Sequence, residues 1–189
     1  MDRHLSFESH IDSVQRKCTG LLIALSHSRH TIPRKFLAQI VQGLVISIVR
    51  YCISIYGSCN STQLSRIQKI INFGARVVSG KRKFDHISNV IRDLRWMSAE
   101  KLVQYHTVCA VFRAVETGRP TYIADTIGMP ACTTHDHATR RSRELCLPRI
   151  RTEAGRRRLC YRGAKLFNEM NVDRNRPFRQ ALRSVLMNG

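Results

Sequence analysis

The chain has 189 residues, 43% of them hydrophobic, enough for one packed domain or for one domain with a tail. Its 32 Lys and Arg stand against 13 Asp and Glu, a formal net charge of +19 that no monomeric enzyme needs for its fold and that opposes compaction. The excess points to a polyanion, nucleic acid first, with a generally basic surface or an anionic membrane as the blander alternatives. Seven cysteines at irregular spacing argue against a disulfide framework and for a reducing compartment, and MDRHLSFESH carries no secretory or transit pattern, so nucleus or cytoplasm is expected.

Residues 1–7 read as the end of something extended. A helix opens at Ser6 or Glu8, with Ile11, Val14, Cys18, Leu21, Leu22 and Leu25 at the three-and-four spacing of one apolar face. Glu8 and Asp12 sit in its first turns, where the helix dipole favours them. His27, Arg29 and His30 end it.

The stretch PRKFLAQIVQGLVISIVRYCISIYG, Pro33 to Gly57, is apolar almost all round and predicts a buried central helix. Gln39, Gly43, Ser47, Arg50 and Ser54 form one narrow polar and small stripe on it, suited to a close helix contact or to a polar partner. A buried strand is the rival for Leu44 to Tyr56, but strands rarely exceed ~10 residues. A membrane span is opposed by Gln39, Gln42 and above all Arg50, since a charge near mid-bilayer costs roughly 2.5–3.5 kcal/mol.

Asn60 or Ser61 caps a third helix carrying Leu64, Ile67, Ile70, Ile71, Phe73, Ala75, Val77 and Val78, with Gly80 as its stop. Arg66, Lys69 and Arg76 lie on or beside its polar face, and Lys81, Arg82 and Lys83 follow. Cations there suit the helix dipole, and they also suit phosphate. A short helix from about His86 to Leu94 precedes a longer one opened by Ser98 with Glu100 and closed by Gly118. Leu102, Val103, His106, Val108, Cys109, Phe112 and Val115 are its expected core positions.

The expected fold is therefore mainly α: a helical bundle over 8–118, a linker over 119–147, and a basic, partly irregular segment over 148–189. From Arg140 to Arg183 there are thirteen Arg and one Lys against four acids. Arg is the better bidentate partner for phosphate, so this bias favours nucleic acid over mere solubility. LCLPRIRT has the loose alternation of a short strand. Leu159, Tyr161, Leu166 and Phe167 would tuck the next segment onto the bundle, and Arg176 to Met187 predicts a last amphipathic helix with Phe178, Leu182, Val185 and Leu186 inward.

Chemistry is sparse. There is no adjacent acidic pair for a two-metal site, and no GxxxxGK[ST], GxGxxG or GxSxG. No catalytic residue and no cofactor is expected. Cys132, His135, His137 and Cys146 form C-x2-H-x-H-x8-C, a weak zinc candidate that matches no common finger. The expected nucleic-acid contacts are Arg50, Arg66, Lys69, Arg76, Lys81, Arg82 and Lys83, with Arg149, Arg151, Arg156, Arg157 and Arg158 in the tail. Tyr161 and Phe167 are either base-stacking rings or, more simply, core.

LSFESHIDSVQRKCTGLLIALSHSRHTIPRKFLAQIVQGLVISIVRYCISIYG, followed by LSRIQKIINFGARVVSGKRKFDHISNVIRDLRWM, resembles the C-terminal part of the reverse transcriptase of non-LTR retrotransposons of the jockey-like kind. LPRIRTEAGRRRLCYRGAKLFNEM is similar to that family's closing motif, P-R-x-R-T-x-x-G-x-R-x-F-x-Y-x-x-P-x-x-W-N-x-L-P. Leu159, Ala164, Phe167 and Met170 stand where the family usually has Phe, Pro, Trp and Leu. The resemblance implies a right-hand polymerase whose catalytic [FY]-x-D-D precedes the matched region. Residues 1–7 would then be the palm's end, and 8–118 the thumb and connection that grip a primer–template backbone. It implies RNA, DNA or their hybrid as partner, along with the palm and fingers of a parent polymerase, and it carries no catalytic residue onto this chain. The alternatives from the residues are a non-binding helical structural or interaction module whose charge is inherited, and a small zinc-binding module built on the Cys132 cluster.

Overall fold

In a computed structural model the described residues are 6–127, 144–170 and 177–188, and they are mainly helical with no β-strand among them. The chain divides into two compact units, Met1–Leu102 and Val103–Gly189. Among the described residues no helix is long and apolar enough to cross a membrane.

In the first unit, α1 spans Glu8–Ser28 and buries Ile11, Val14, Cys18 and Leu22, the face its spacing predicted. It packs along α5, Ser61–Ser79. Asn60 caps α5, its side chain accepting from the Gln63 N–H at 3.0 Å, and Gly80 ends it in the left-handed region at φ 72°. Ile67, Ile70, Ile71, Ala75, Val77 and Val78 are buried, and each large aliphatic side chain contributes about 1.5–3 kcal/mol by leaving water. Gly74 marks the closest approach: a Cβ there would lie 3.1 Å from Val41 and 3.4 Å from the buried Trp96 ring. Cys18 is fully buried, and burial pushes its thiol up to about 11. α6 is Ser88–Asp93.

The 33–57 stretch departs from the continuous buried helix expected of it. It forms α2, Arg34–Val41, a π-turn at Gln42–Ile46, α3, Ser47–Arg50, and α4, Ile53–Tyr56. The break falls at Tyr51, which is extended, and Cys52, which is left-handed at φ 56°. That conformation costs a non-glycine residue roughly 1–2 kcal/mol. One compensation is local: the Tyr56 hydroxyl donates to the Val49 carbonyl, which an unbroken helix would have satisfied itself. One face of the stretch, with Leu37, Val41, Val45, Val49 and Ile53, is core, while Phe36, Leu44, Tyr51 and Ile55 are exposed. Gln39, Gly43, Ser47 and Arg50 face solvent, so that part of the stripe is an outer surface and not a helix–helix seam.

α7 is Ala99–Thr117, with Gly118 left-handed just beyond it. The Ser98 hydroxyl accepts from the Lys101 N–H at 3.3 Å, and the Gln68 side chain accepts from the Ala99 N–H at 2.7 Å. Of the core positions expected on α7, Leu102, Val103 and Val108 are buried, while His106, Cys109, Phe112 and Val115 are partly so; Thr107, Val111 and Ala114 are buried as well. The compact units part at Leu102 and Val103, inside this helix, whereas the expected bundle ran on to 118.

The second unit shows why. Val108, Val111 and Ala114 share a core with Ile127, Leu145, Ala164, Phe167, Phe178, Leu182 and Leu186. α8 is Thr121–Ala124, α9 Glu153–Arg156, α10 Leu159–Glu169 and α11 Phe178–Asn188. Phe112 and Phe178 stack at 3.7 Å between ring centroids. The tail thus builds its own core with α7. Val185, expected inward, is exposed, because Phe178, Leu182 and Leu186 already fill the buried face of α11. The strand expected in LCLPRIRT does not form. Leu145 is instead held by the Asn168 side chain, which accepts from its N–H and donates to its carbonyl, both at 2.9 Å. Within the expected linker 119–147, α8 and the buried Leu145 are ordered structure of this unit; residues 128–143 lie outside the described residues.

Candidate nucleic-acid interface

Where α1 and α5 end, their side chains and the turn after α5 enclose a groove of about 600 Å³. Phe73, Val77 and Ser26 are its uncharged lining residues. Arg29, Lys69, Arg76, Lys81 and Lys83 converge on it. Among the described residues no ion pair reaches any of these five cations. Two helix C-termini contribute to the groove, and their partial negative charge offsets part of the cation repulsion.

The turn after Gly80 is held by its own hydrogen bonds. The Asp85 carboxylate accepts from the Arg82 N–H at 2.7 Å, and the Asp85 N–H donates to the Arg82 carbonyl at 3.2 Å. Lys81 Nζ donates to the His86 carbonyl at 3.0 Å. This orders KRKF and leaves Arg82, Lys83 and Phe84 outside.

The structure thus gathers Lys69, Arg76, Lys81 and Lys83 from the sequence-based set, with Arg82 exposed in the same turn. Arg66 is engaged elsewhere: its guanidinium pairs with Asp12 and donates to Gln15 at 2.9 Å and Gln63 at 3.0 Å, tying α5 to α1. Arg50 is exposed at the end of α3 and does not line the groove. Sequence reasoning missed Arg29, which it read only as a helix end. Nothing in the local sequence marks it, since α1 packing against α5 is what brings it to Lys69.

The tail arginines form a separate group in the second unit. Arg149, Arg151, Arg156, Arg157 and Arg158 are all exposed, and Arg156 pairs with Glu153 at 2.9 Å. The uncharged residues of that motif hold its shape. Thr152 caps α9 by accepting from the Gly155 N–H at 3.1 Å, and a Cβ on Gly155 would collide with Ile150. Phe167 is core and Asn168 clamps Leu145, so the choice between stacking and packing falls to packing for Phe167.

Cys132, His135 and His137 lie outside the described residues, and Cys146 is an exposed free thiol. Among the described residues no three His, Cys, Asp or Glu side chains gather as a metal set would require. A second concavity, of about 680 Å³, lies against the start of α1 and the α3–α4 break, lined mainly by Phe7, His10, Tyr51, Cys52, Ile55 and Tyr56. The His10 and Tyr56 rings meet there at 4.9 Å, and burial raises the Tyr56 phenol well above its ordinary range. No protein-family model, curated protein or solved structure matches the chain.

Proposed function

We propose that the chain is a fragment of a non-LTR retrotransposon reverse transcriptase from behind the catalytic palm, and that it binds nucleic acid non-specifically, by phosphate contact, without catalysing a reaction. The observation that carries the binding is the convergence of Arg29, Lys69, Arg76, Lys81 and Lys83 on one groove with no ion pair among the described residues to neutralise them. Arg supplies planar bidentate donors and Lys a mobile point charge, and neither reads sequence when its partner is phosphate. The exposed arginines around α9 supply a second set, and the motif that contains them carries part of the family resemblance.

The test is binding of a labelled RNA–DNA hybrid across salt. If all five groove cations neutralise a phosphate, log K falls against log salt with a slope near −4.5, at roughly 0.9 per contact, and affinity drops about 500-fold between 50 and 200 mM. Any tail contacts steepen this. Replacing Lys69, Lys81 and Lys83 together with Gln lowers the slope by about 2.7. No binding at 50 mM salt, or a slope that the triple substitution leaves untouched, refutes the groove as the site.

A further inference from the structure

Phe84 is 90% exposed, the most exposed large hydrophobic side chain of the described residues. A single apolar residue on a surface needs no explanation by itself. This one stands in a turn stapled by Asp85 and by Lys81, and it directly follows Arg82 and Lys83 in the chain. Lys83 Nζ lies 5.6 Å from the ring centroid, and Lys81 and Lys83 both line the cationic groove. An aromatic ring presented beside cations is the arrangement by which proteins hold single strands: the ring stacks on a base and the cations take the backbone.

We propose that Phe84 is a stacking platform for an unpaired base, so that the 81–84 turn makes the groove prefer single-stranded to duplex nucleic acid. This rests on the phosphate-binding reading and adds to it the strand state of the ligand. The backbone that carries the ring is held by the turn's hydrogen bonds, and Lys83, 5.6 Å from the ring centroid, sits within reach of the phosphate next to a stacked base. A base inside a duplex has both faces covered by its neighbours and offers the ring nothing, so Phe84 contributes only when the base is unpaired.

The experiment compares a short oligouridylate with a duplex of the same length at about 50 mM salt, for wild type, Phe84→Ala and Phe84→Trp. Phe84→Ala is expected to lose about 5- to 150-fold on the single strand, the range for one stacked base, and to bind the duplex as wild type does. Phe84→Trp is expected to keep single-strand affinity and to show fluorescence quenching on binding. Wild type serves as its control, since its one tryptophan, Trp96, is buried. Equal loss on both ligands, or no loss together with no quenching in Phe84→Trp beyond that of wild type, overturns the stacking role while salt-dependent binding still stands. Failure of wild type to bind either ligand overturns both readings.

Discussion

Arg66 separates two roles for a cation on α5. Its guanidinium is committed to Asp12, Gln15 and Gln63, while Lys69, one turn on, opens on the groove. Arg66→Met keeps the aliphatic stem and removes every donor. The pair is only half-sheltered, with side chains 26% and 39% exposed. A fully exposed ion pair is worth about 0.2–1 kcal/mol, and a hydrogen bond to a charged group about 1.5–3 kcal/mol. Gln63 is buried and its carbonyl would lose a donor. Together these set the expected loss at about 2 kcal/mol. For a chain of this size that lowers Tm by about 4–8 °C. A double-mutant cycle with Asp12→Ala should return a coupling of about 1 kcal/mol. Lys69→Gln is expected to move stability by less than about 0.5 kcal/mol and to flatten the salt dependence of binding instead. Calorimetry and the binding titration on the same preparations decide it. An Arg66→Met protein that melts like wild type and loses salt slope as Lys69→Gln does would refute the reasoning, and would return Arg66 to the proposed phosphate contacts.

Two further outcomes follow from packing and burial. Gly163 on α10 is expected to resist Ala, because a Cβ there would come 2.7 Å from Val111 Cγ2, a stiff and fully buried neighbour. Overpacking of about 1–3 kcal/mol outweighs the ~1 kcal/mol gained in helix propensity, so Gly163→Ala lowers Tm, and lowers it less in a Val111→Ala background, where the remaining close contact is Leu159 Cδ1 at 3.3 Å. A raised Tm in the wild-type background would contradict this. Cys18 links stability to alkaline pH. Its thiol is raised from 9.0 to about 11 in the folded protein, so between those values the unfolded chain gives up a proton that the native one keeps. Stability contributed by the buried thiol is complete below pH 9 and is lost as pH rises toward 11. Urea titrations over that window should show a shallower decline for Cys18→Ala than for wild type, and parallel declines would count against burial as the cause.

Much of the local structure was legible because its causes are local. Asn60 and Gly80 bound α5 by capping and by left-handed backbone, and Ser98 and Gly118 bound α7 the same way. The apolar spacing of α1 named its buried face. The break at Tyr51–Cys52 left no such mark, since neither residue is Gly or Pro; its compensation is a hydroxyl from Tyr56 reaching back seven residues. The same apolar run looked buried all round because hydrophobicity alone does not say how many faces have neighbours, and here Phe36, Leu44, Tyr51 and Ile55 have few.

Sequence by itself determined that the chain is helical, strongly basic and in possession of a core, because helix period, caps and charge are properties of residues and their near neighbours. Tertiary structure decided which cations lie together. Arg29 and Lys83 are 54 positions apart, and only the packing of α1 on α5 sets both on one groove. It decided equally that Arg66, alike in type and spacing, is spent on Asp12. The tail's place was also a tertiary matter: its helices hold together around α7 through Phe112, Phe167 and Phe178, contacts between distant residues that no local period encodes.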